Sequence, residues 1–267
     1  MAKYNIKANR IFTKWRKWAW LGTFIIAVGG LFEPLLGLLV VGIIVGLMIM
    51  SFLRGRYWCG NICTHGSFYD LILIKISRNA KTPKFLRSNI VVIFFLAFFM
   101  FNMGHGMISA FTAGDVFRPR TLFVFRLIDI DTSTTLGILR GAGFVFVNTY
   151  WLVIVVSLCL GLIFTSRTWC HFCPMGTFQR LSHKLSKVLG VNRKTDVKIS
   201  VESKQLCKSC AKCTWVCPMQ LTPYLEFDDH NQFSSESCIK CKTCIKNCPA
   251  HILSIRGNFL LKKKSLL

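Results

Sequence analysis

Two short cysteine runs near the carboxyl end restrict the fold of this chain more than any other feature. Each run has the spacing C-x2-C-x2-C-x3-C-P. The first run holds Cys207, Cys210, Cys213 and Cys217, and the second holds Cys238, Cys241, Cys244 and Cys248. Three thiols at this spacing can point into one pocket, and the proline after the fourth cysteine ends the loop. The spacing therefore predicts two similar loops, each closed around a thiolate-bound centre.

This spacing is the ligand run of bacterial ferredoxins with two [4Fe–4S] clusters, in which the fourth cysteine of each run binds the other cluster. Cluster I is therefore assigned Cys207, Cys210, Cys213 and Cys248. Cluster II is assigned Cys238, Cys241, Cys244 and Cys217. Structural zinc sites also use C-x2-C pairs, but two four-cysteine runs with C-P endings differ from a zinc-ribbon pattern. The predicted chemistry is one-electron transfer.

The apolar residues, which with cysteine and tyrosine make up 52% of the chain, gather into long runs typical of a membrane protein. The runs cover residues 18–32, 35–53, 89–110 and 141–164. The first run is short, so its helix is expected to begin near Ile11 with basic side chains that snorkel. Glu33-Pro34 is interpreted as the turn of a helical hairpin. We therefore predict four transmembrane helices arranged as two hairpins.

The basic residues predict the orientation of these helices. Residues 1–17 carry six Lys/Arg and no acid, and residues 54–87 carry seven Lys/Arg against one acid, Asp70. The loop 111–140 carries four Arg against three Asp. The positive-inside rule then places both termini in the cytoplasm and this loop outside. The protein is therefore expected in the inner membrane. The same rule accounts for the net charge of +23 without a nucleic-acid partner.

The predicted fold is an all-α membrane domain followed by an α+β bacterial-type ferredoxin domain with two [4Fe–4S] clusters. The expected boundaries are a four-helix transmembrane domain over 1–179, a basic linker over 180–200, the ferredoxin domain over 201–258 and a basic tail over 259–267. Membrane lipid is thus an expected partner.

Each predicted hairpin ends with the same phrase. It reads R-Y-W-C-G-N-I-C-T-H-G-S-F from residue 56 and R-T-W-C-H-F-C-P-M-G-T-F from residue 167. Duplicated hairpins commonly pack about a pseudo-twofold axis. This packing would bring together the cysteines of both phrases, which are Cys59, Cys63, Cys170 and Cys173. The four could hold a further iron–sulfur or metal centre, act as a redox-active thiol/disulfide pair, or be reduced and structural.

The two ferredoxin runs and the repeated phrase together give a resemblance to a known group. The chain resembles the polytopic iron–sulfur membrane proteins typified by NapH, a quinol dehydrogenase membrane subunit, with related parts in the C-terminal half of NosR and in CcoG. The resemblance covers roughly residues 15–255. It implies an inner-membrane location and an electron-transfer role.

Three histidines are candidates for further roles. His105 lies in the third predicted span, where an ionisable residue is a functional candidate, and contact with a quinone head group is one interpretation. A packing role is the other. His65 and His171 flank the cysteine pairs, and a polar role in the turn is favoured over metal ligation.

Two functions follow from these observations. The first is a membrane electron-transfer protein that connects the quinone pool with a redox partner containing iron–sulfur clusters or haem. It would be an oxidoreductase component rather than a stand-alone catalyst. The alternative is an assembly or regulatory protein that uses the ferredoxin domain as a source of reductant and binds a metal such as copper at the four repeated cysteines.

Overall fold

The computed structural model describes residues 7–112, 116–117, 130–193 and 195–257. The basic tail over 259–267 and half of the loop 111–140 lie outside the described residues. The described part consists of a helical bundle followed by a small unit that contains a three-stranded sheet.

The first apolar run is helical but interrupted. Helix α1 spans Lys14–Phe24 and continues through a π-helical turn over Ile25–Gly29 into α2 over Gly30–Phe32. Pro34 then starts a 3-10 helix over Pro34–Leu38. Proline fits this first position because a backbone N–H there would have no helical acceptor. This 3-10 helix leads directly into α3 over Leu39–Arg54.

Three helices of the described part are long and apolar enough to cross a membrane: Pro34–Arg54, Asn89–Thr112 and Thr135–Ile163. The last two are α7 and α8. They coincide with the second, third and fourth predicted spans, so the molecule is a membrane protein. The interrupted first helix is not among the three, and the arrangement as two hairpins stays a prediction.

Short helices follow the ends of α3 and α8. After α3 come α4 over Tyr57–Asn61, α5 over Thr64–Phe68, a π-helical turn over Tyr69–Leu73 and α6 over Ile74–Ile76. A 3-10 helix over Phe85–Arg87 then precedes α7. After α8 come a 3-10 helix over Thr168–His171 and α9 over Pro174–Val188. A two-stranded pair, β1 over Val116–Phe117 and β2 over Ile130–Asp131, lies between α7 and α8.

Helix α9 crosses residue 180, where the sequence predicts the start of a linker. It begins at Pro174, directly after the second cysteine of the repeated phrase. Its apolar side chains Leu181, Leu185 and Val188 are exposed, as the sequence of an amphipathic surface helix requires.

The carboxyl-terminal unit has the α+β arrangement expected of the ferredoxin run. Strand β3 over Val197–Val201 pairs antiparallel with β4 over Gln232–Phe233 and with β5 over Leu253–Gly257, in the order β4-β3-β5. A 3-10 helix over Lys204–Leu206 and α10 over Lys212–Trp215 belong to the first cysteine run. A 3-10 helix over Pro223–Leu225 follows, and α11 over Thr243–Lys246 belongs to the second run.

The ferredoxin unit packs against the end of the bundle where α3 ends, α7 begins and α8 ends. The Lys240 ammonium donates to the carbonyl of Arg54, the last residue of α3, over 2.7 Å. Gln220 accepts a hydrogen bond from Arg87, just before α7. Gln220 also donates to the carbonyl of Ala80. This packing brings the ferredoxin cysteines next to those of the repeated phrase.

Candidate functional site

The first ferredoxin pocket is lined by four cysteines, which are Cys207, Cys210, Cys213 and Cys248. Its other walls are largely apolar and include Tyr224, Phe227, Ile252 and Leu253. Burial raises the pKa of the Cys213 thiol. These four residues are the set that the spacing assigns to cluster I.

The second ferredoxin pocket is lined by Cys217, Cys238, Cys241 and Cys244, the set assigned to cluster II. Apolar side chains surround them as well, among them Ile199, Met219 and Phe233. Burial is the main cause that raises the pKa of Cys217 to about 12 and that of Cys238 to about 11. Thiols of this kind are protonated at neutral pH until a metal displaces the proton, so cluster binding releases protons here.

The two ferredoxin loops repeat each other in backbone conformation. Each has left-handed residues at equivalent places, 31 positions apart: Ser209 and Lys240, Ala211 and Lys242, and Gln220 and His251. Left-handed backbone is uncommon outside glycine and marks a constrained site. The loops are thus shaped alike around their cysteine sets, as two similar clusters require.

The donor sets of the two pockets fit iron–sulfur clusters. Each pocket is lined by three cysteines of one run and by the fourth cysteine of the other run. This exchange of the fourth cysteine is the ligand arrangement of ferredoxins with two [4Fe–4S] clusters, in which each cysteine binds a different iron.

The four cysteines of the repeated phrase line a single cavity in the bundle, at its ferredoxin end. Cys63 and Cys173 occupy equivalent places, each immediately before a helix, with φ near −52° and −53° and ψ of 124° and 127°. Cys59 and Cys170 are buried. Burial and the neighbouring cysteines raise the pKa of both Cys63 and Cys173 to about 12. The repeat thus brings four thiols together, one buried and one half-buried from each copy.

The two copies of the phrase are joined by a reciprocal pair of arginines. Arg56 of the first copy donates to the carbonyl of Cys170 in the second, over 2.7 Å. Arg167 of the second copy donates to the carbonyl of Cys59 in the first, over 3.1 Å. These exchanged hydrogen bonds hold the first cysteine of each copy in place, and they give the arrangement a pseudo-twofold character.

Three residues after the second cysteine of each phrase, a glycine leaves space for the arginine of the other copy. A Cβ atom at Gly66 would lie 3.0 Å from a guanidinium nitrogen of Arg167, and one at Gly176 would lie 2.8 Å from a nitrogen of Arg56. The shared letters of the two phrases therefore have a common structural reason.

One carboxylate breaks this symmetry. Asp70 accepts hydrogen bonds from Arg167 over 3.0 and 2.6 Å and from Arg16 over 2.5 Å. Arg10 lies 3.7 Å from the same carboxylate. Burial alone would raise the pKa of Asp70, but Arg167, Arg16 and Arg10 together lower it to about 2. Among the described residues, Arg56 has no carboxylate partner, and its Nε atom is buried without a hydrogen bond.

The cavity beside the four cysteines has a volume of about 420 Å³. Its walls come from the first helix, α3, α7 and α8 and are mostly apolar. Three of the lining side chains, Trp15, Ile25 and Leu39, are more than half exposed on the outside of the bundle. The cavity therefore reaches the apolar outer surface of the bundle, and its size is that of a pocket for an organic ligand.

Polar groups are confined to the cysteine end of this cavity. The rings of His65 and Tyr150 lie 4.6 Å apart there, and Gln179 donates to the Cys59 sulfur over 3.2 Å. The Nε2 atom of His65 is buried and has no partner among the described residues. Burial lowers the pKa of His65 to about 4, so the ring is neutral at physiological pH.

The cavity end is also next to the pocket assigned to cluster II. Cys59, Trp169 and Cys170 belong to the same buried cluster of side chains as Met219 and Ile239 of the ferredoxin unit. A Cβ at Gly60 would meet the carbonyl oxygen of Ile239 at 1.9 Å, so the two backbones are in direct contact. The other ferredoxin pocket lies away from this contact, and its Cys210 is exposed.

The remaining histidine candidates lie in different surroundings. His105 is exposed on α7, where it stacks on Phe101, and it does not line the cavity. Contact of His105 with a quinone stays a prediction. His171 is half-buried at the second phrase, and its buried Nε2 atom has no partner among the described residues.

Four residues of the site received no role from the sequence: Arg56, Arg167, Asp70 and Gln179. The arginines open both copies of the repeated phrase, and Asp70 is the sole acid of residues 54–87. Both features can be read in the sequence, but the role of these residues depends on contacts between the two copies of the phrase.

Two family models match the chain. One, described as a 4Fe-4S binding domain, matches twice, over residues 36–83 and 147–192, and each match covers one copy of the repeated phrase. The other, described as a 4Fe-4S dicluster domain, matches residues 198–250. The double match agrees with an internal repeat, and the prediction of two [4Fe–4S] clusters is confirmed.

Three curated proteins are similar to parts of the chain. The ferredoxin-type protein NapH of Haemophilus influenzae is 26% identical over 125 residues, 45% of this chain and 40% of that protein. The methylamine utilization ferredoxin-type protein MauN of Paracoccus denitrificans is 30% identical over 83 residues, 31% of this chain and 24% of MauN. A component of the ion-translocating oxidoreductase complex of Buchnera aphidicola is 32% identical over 73 residues, 24% of this chain and 15% of that component.

The aligned segments thus span less than half the length of each of these relatives. No solved structure matches the chain. Together the matches show an iron–sulfur protein that is similar in part to NapH and MauN and has two [4Fe–4S] clusters.

Proposed function

We propose that this protein carries electrons between the quinone pool of the inner membrane and a redox partner protein, by way of its two ferredoxin clusters. The observation that supports this proposal most is the cavity of about 420 Å³, which extends from the bilayer-facing surface to the four repeated cysteines. A quinone needs an apolar path for its tail and a few polar groups for its head, and the cavity offers both.

The head group would be oriented by residues at the cysteine end. The neutral His65 ring has one nitrogen able to accept a hydrogen bond, and its Nε2 atom lacks a partner within the described segments. The hydroxyl of Tyr150 adds a donor from α8. These two groups would hold the quinone or quinol head group next to the cysteines by hydrogen bonds.

The electron balance of such a reaction is simple. Oxidation of one quinol to quinone releases two electrons and two protons, and the reverse reaction consumes the same number. The clusters, when bound, accept or release one electron at a time. Two successive transfers are therefore needed for each quinol, and the two ferredoxin clusters together have that capacity.

The cysteine sets proposed as ligands are those of the two ferredoxin pockets. Cys217, Cys238, Cys241 and Cys244 would bind cluster II, nearest to the cavity. Cys207, Cys210, Cys213 and Cys248 would bind cluster I, on the side remote from the bundle. The remote side is where we propose that the redox partner docks.

The topology proposed is four spans in two hairpins with both termini in the cytoplasm. The end of α3, the start of α7 and the end of α8 lie next to the ferredoxin unit, and Arg16 near the start of the first helix donates to the carbonyl of Gly60 there. One helix starts at this end of the bundle, the next ends there, and so on in turn, as four successive crossings of the membrane require. The surplus of Lys and Arg at this end supports a cytoplasmic location.

A cavity-filling substitution tests the function. We expect Ile44→Trp, which places an indole into the cavity, to slow the reduction of the clusters by a quinol analogue about tenfold or more, a loss of about 1.4 kcal/mol in binding. The measurement is the loss of visible absorbance of the clusters in lipid vesicles after mixing with the quinol.

Ile93→Trp is the matched control, because Ile93 is exposed on α7 and does not line the cavity. Dithionite should reduce both variants as fast as the wild type. If Ile44→Trp and Ile93→Trp react with the quinol at the wild-type rate, the cavity is not the site of the reaction.

A further inference from the structure

We infer that Cys59, Cys63, Cys170 and Cys173 bind a third iron–sulfur cluster, shared between the two copies of the repeated phrase. The role of this cluster as the first electron carrier after the quinone rests on the proposed function. The binding of this cluster does not depend on the proposed function, because it follows from the four donor sulfurs and the charges around them.

The donor set is complete within the bundle. All four cysteines line one cavity, and each copy of the phrase supplies one cysteine from a short helical turn and one from the residue before the next helix. The exchanged hydrogen bonds of Arg56 and Arg167 hold the carbonyls of Cys170 and Cys59, so neither pair can move independently of the other. Four thiolates held in this way are the usual ligand set of an iron–sulfur cluster.

The charge around the site requires an anion. Four arginines are buried there, each at most 3% exposed: Arg10, Arg16, Arg56 and Arg167. In the described part, Asp70 contacts three of them and Arg56 has no carboxylate partner, so one carboxylate is matched to four guanidinium groups. Buried charges are costly unless they are paired. A cluster bound by four thiolates is an anion in both of its usual oxidation states, so it would balance this excess.

Two other interpretations of the four cysteines leave this charge unbalanced. Protonated thiols and disulfides are neutral, so neither would compensate the arginines. A single zinc or copper ion bound by four thiolates would also carry negative charge. The metal count of the purified protein distinguishes such an ion from an iron–sulfur cluster.

The four cysteines lie next to the pocket assigned to cluster II. Cys59 and Cys170 share a buried cluster of side chains with Cys217 and Cys241, which line the pocket of cluster II. The Arg167 guanidinium lies 3.7 Å from the Cys170 sulfur and would donate to it as a thiolate. A cluster here would therefore lie between the cavity and the ferredoxin unit.

Iron and acid-labile sulfide counts of the full-length protein, purified without oxygen, test the inference. Two ferredoxin clusters give about eight irons per chain, and a third [4Fe–4S] cluster raises the count to about twelve. We expect about twelve in the wild type and about eight in Cys63→Ser and Cys173→Ser, with the electron paramagnetic resonance of the dithionite-reduced ferredoxin clusters retained. Cys159→Ser is the control, since Cys159 is exposed on α8 and away from the cavity, and it should keep the wild-type count.

A wild-type count of about eight irons with four thiols open to alkylation would overturn the inference, as would stoichiometric copper or zinc at these cysteines. The wild-type count decides even if the serine variants do not fold. A count of about eight with clusters still reduced by quinol would overturn this inference and leave the proposed function standing. A count of about twelve with no reduction by quinol would support the third cluster and overturn the proposed function.

Discussion

Asp70 is the carboxylate that contacts the buried arginines in the described part of the bundle. Its two oxygens accept three hydrogen bonds from Arg16 and Arg167, and Arg10 lies 3.7 Å away. All of these groups are buried. Removal of one partner from a buried ion pair leaves an uncompensated charge, which costs far more than the pair contributes when intact.

We therefore expect Asp70→Asn to destabilise the protein by about 3–5 kcal/mol. The control is Glu33→Gln, because Glu33 pairs with Arg140 at a site where both side chains are nearly half exposed. Loss of such a pair costs about 0–1 kcal/mol. Thermal unfolding in detergent measures both, and equal midpoints for the two variants would contradict the role assigned to Asp70.

At the residue scale, the sequence predicted which cysteines lie together but not what holds them. The spacing of the ferredoxin run and the repeat itself grouped all twelve cysteines of the pockets. The exchange between Arg56 and Arg167 could not be predicted, because each arginine acts on the other copy of the phrase. Asp70 aligns with Arg180 seven residues after the second cysteine of each copy, so the repeat does not reveal its role.

At the scale of elements, α8 and the 3-10 helix Pro34–Leu38 approach each other through glycine. A Cβ atom at Gly37 would lie 2.0 Å from the carbonyl oxygen of Gly143, and one at Gly143 would lie 2.2 Å from that of Pro34. Small residues allow such contact between membrane helices, where van der Waals packing replaces the hydrophobic effect.

Gly37→Ala is expected to force these backbones apart and to destabilise the bundle by about 1–3 kcal/mol. At Gly42 of α3 an added Cβ meets nothing within 4 Å, so Gly42→Ala should leave stability unchanged or raise it by up to about 1 kcal/mol. Thermal unfolding of the two variants in the same detergent compares them. A midpoint for Gly37→Ala at or above that of Gly42→Ala would contradict this packing.

The apolar runs predicted three of the helices because length and hydropathy alone decide whether a helix can cross a membrane. The end of the first helix before Pro34 was also predictable, since proline ends the preceding helix. The π-helical turn over Ile25–Gly29 was not, because nothing in its apolar sequence distinguishes it from an ordinary helix. The run of α9 through residue 180 depends on its packing against α3 rather than on its basic composition.

At the scale of the whole molecule, the cavity, the repeated cysteines and the two ferredoxin pockets follow one another from the bilayer toward the remote face. The first two share a wall, and the repeated cysteines share buried side chains with the pocket of cluster II. In the proposed function, a quinone would occupy the cavity at one end of this order, and the clusters would carry single electrons from there. The order therefore supports the proposed connection between the membrane and a redox partner.

The most direct test of this account is electron paramagnetic resonance of the ferredoxin clusters in lipid vesicles with defined ratios of quinol to quinone. The account predicts that the signal of the reduced clusters appears with quinol alone and grows as the ratio of quinol to quinone rises. A signal that appears with dithionite but with no ratio of quinol to quinone would contradict it.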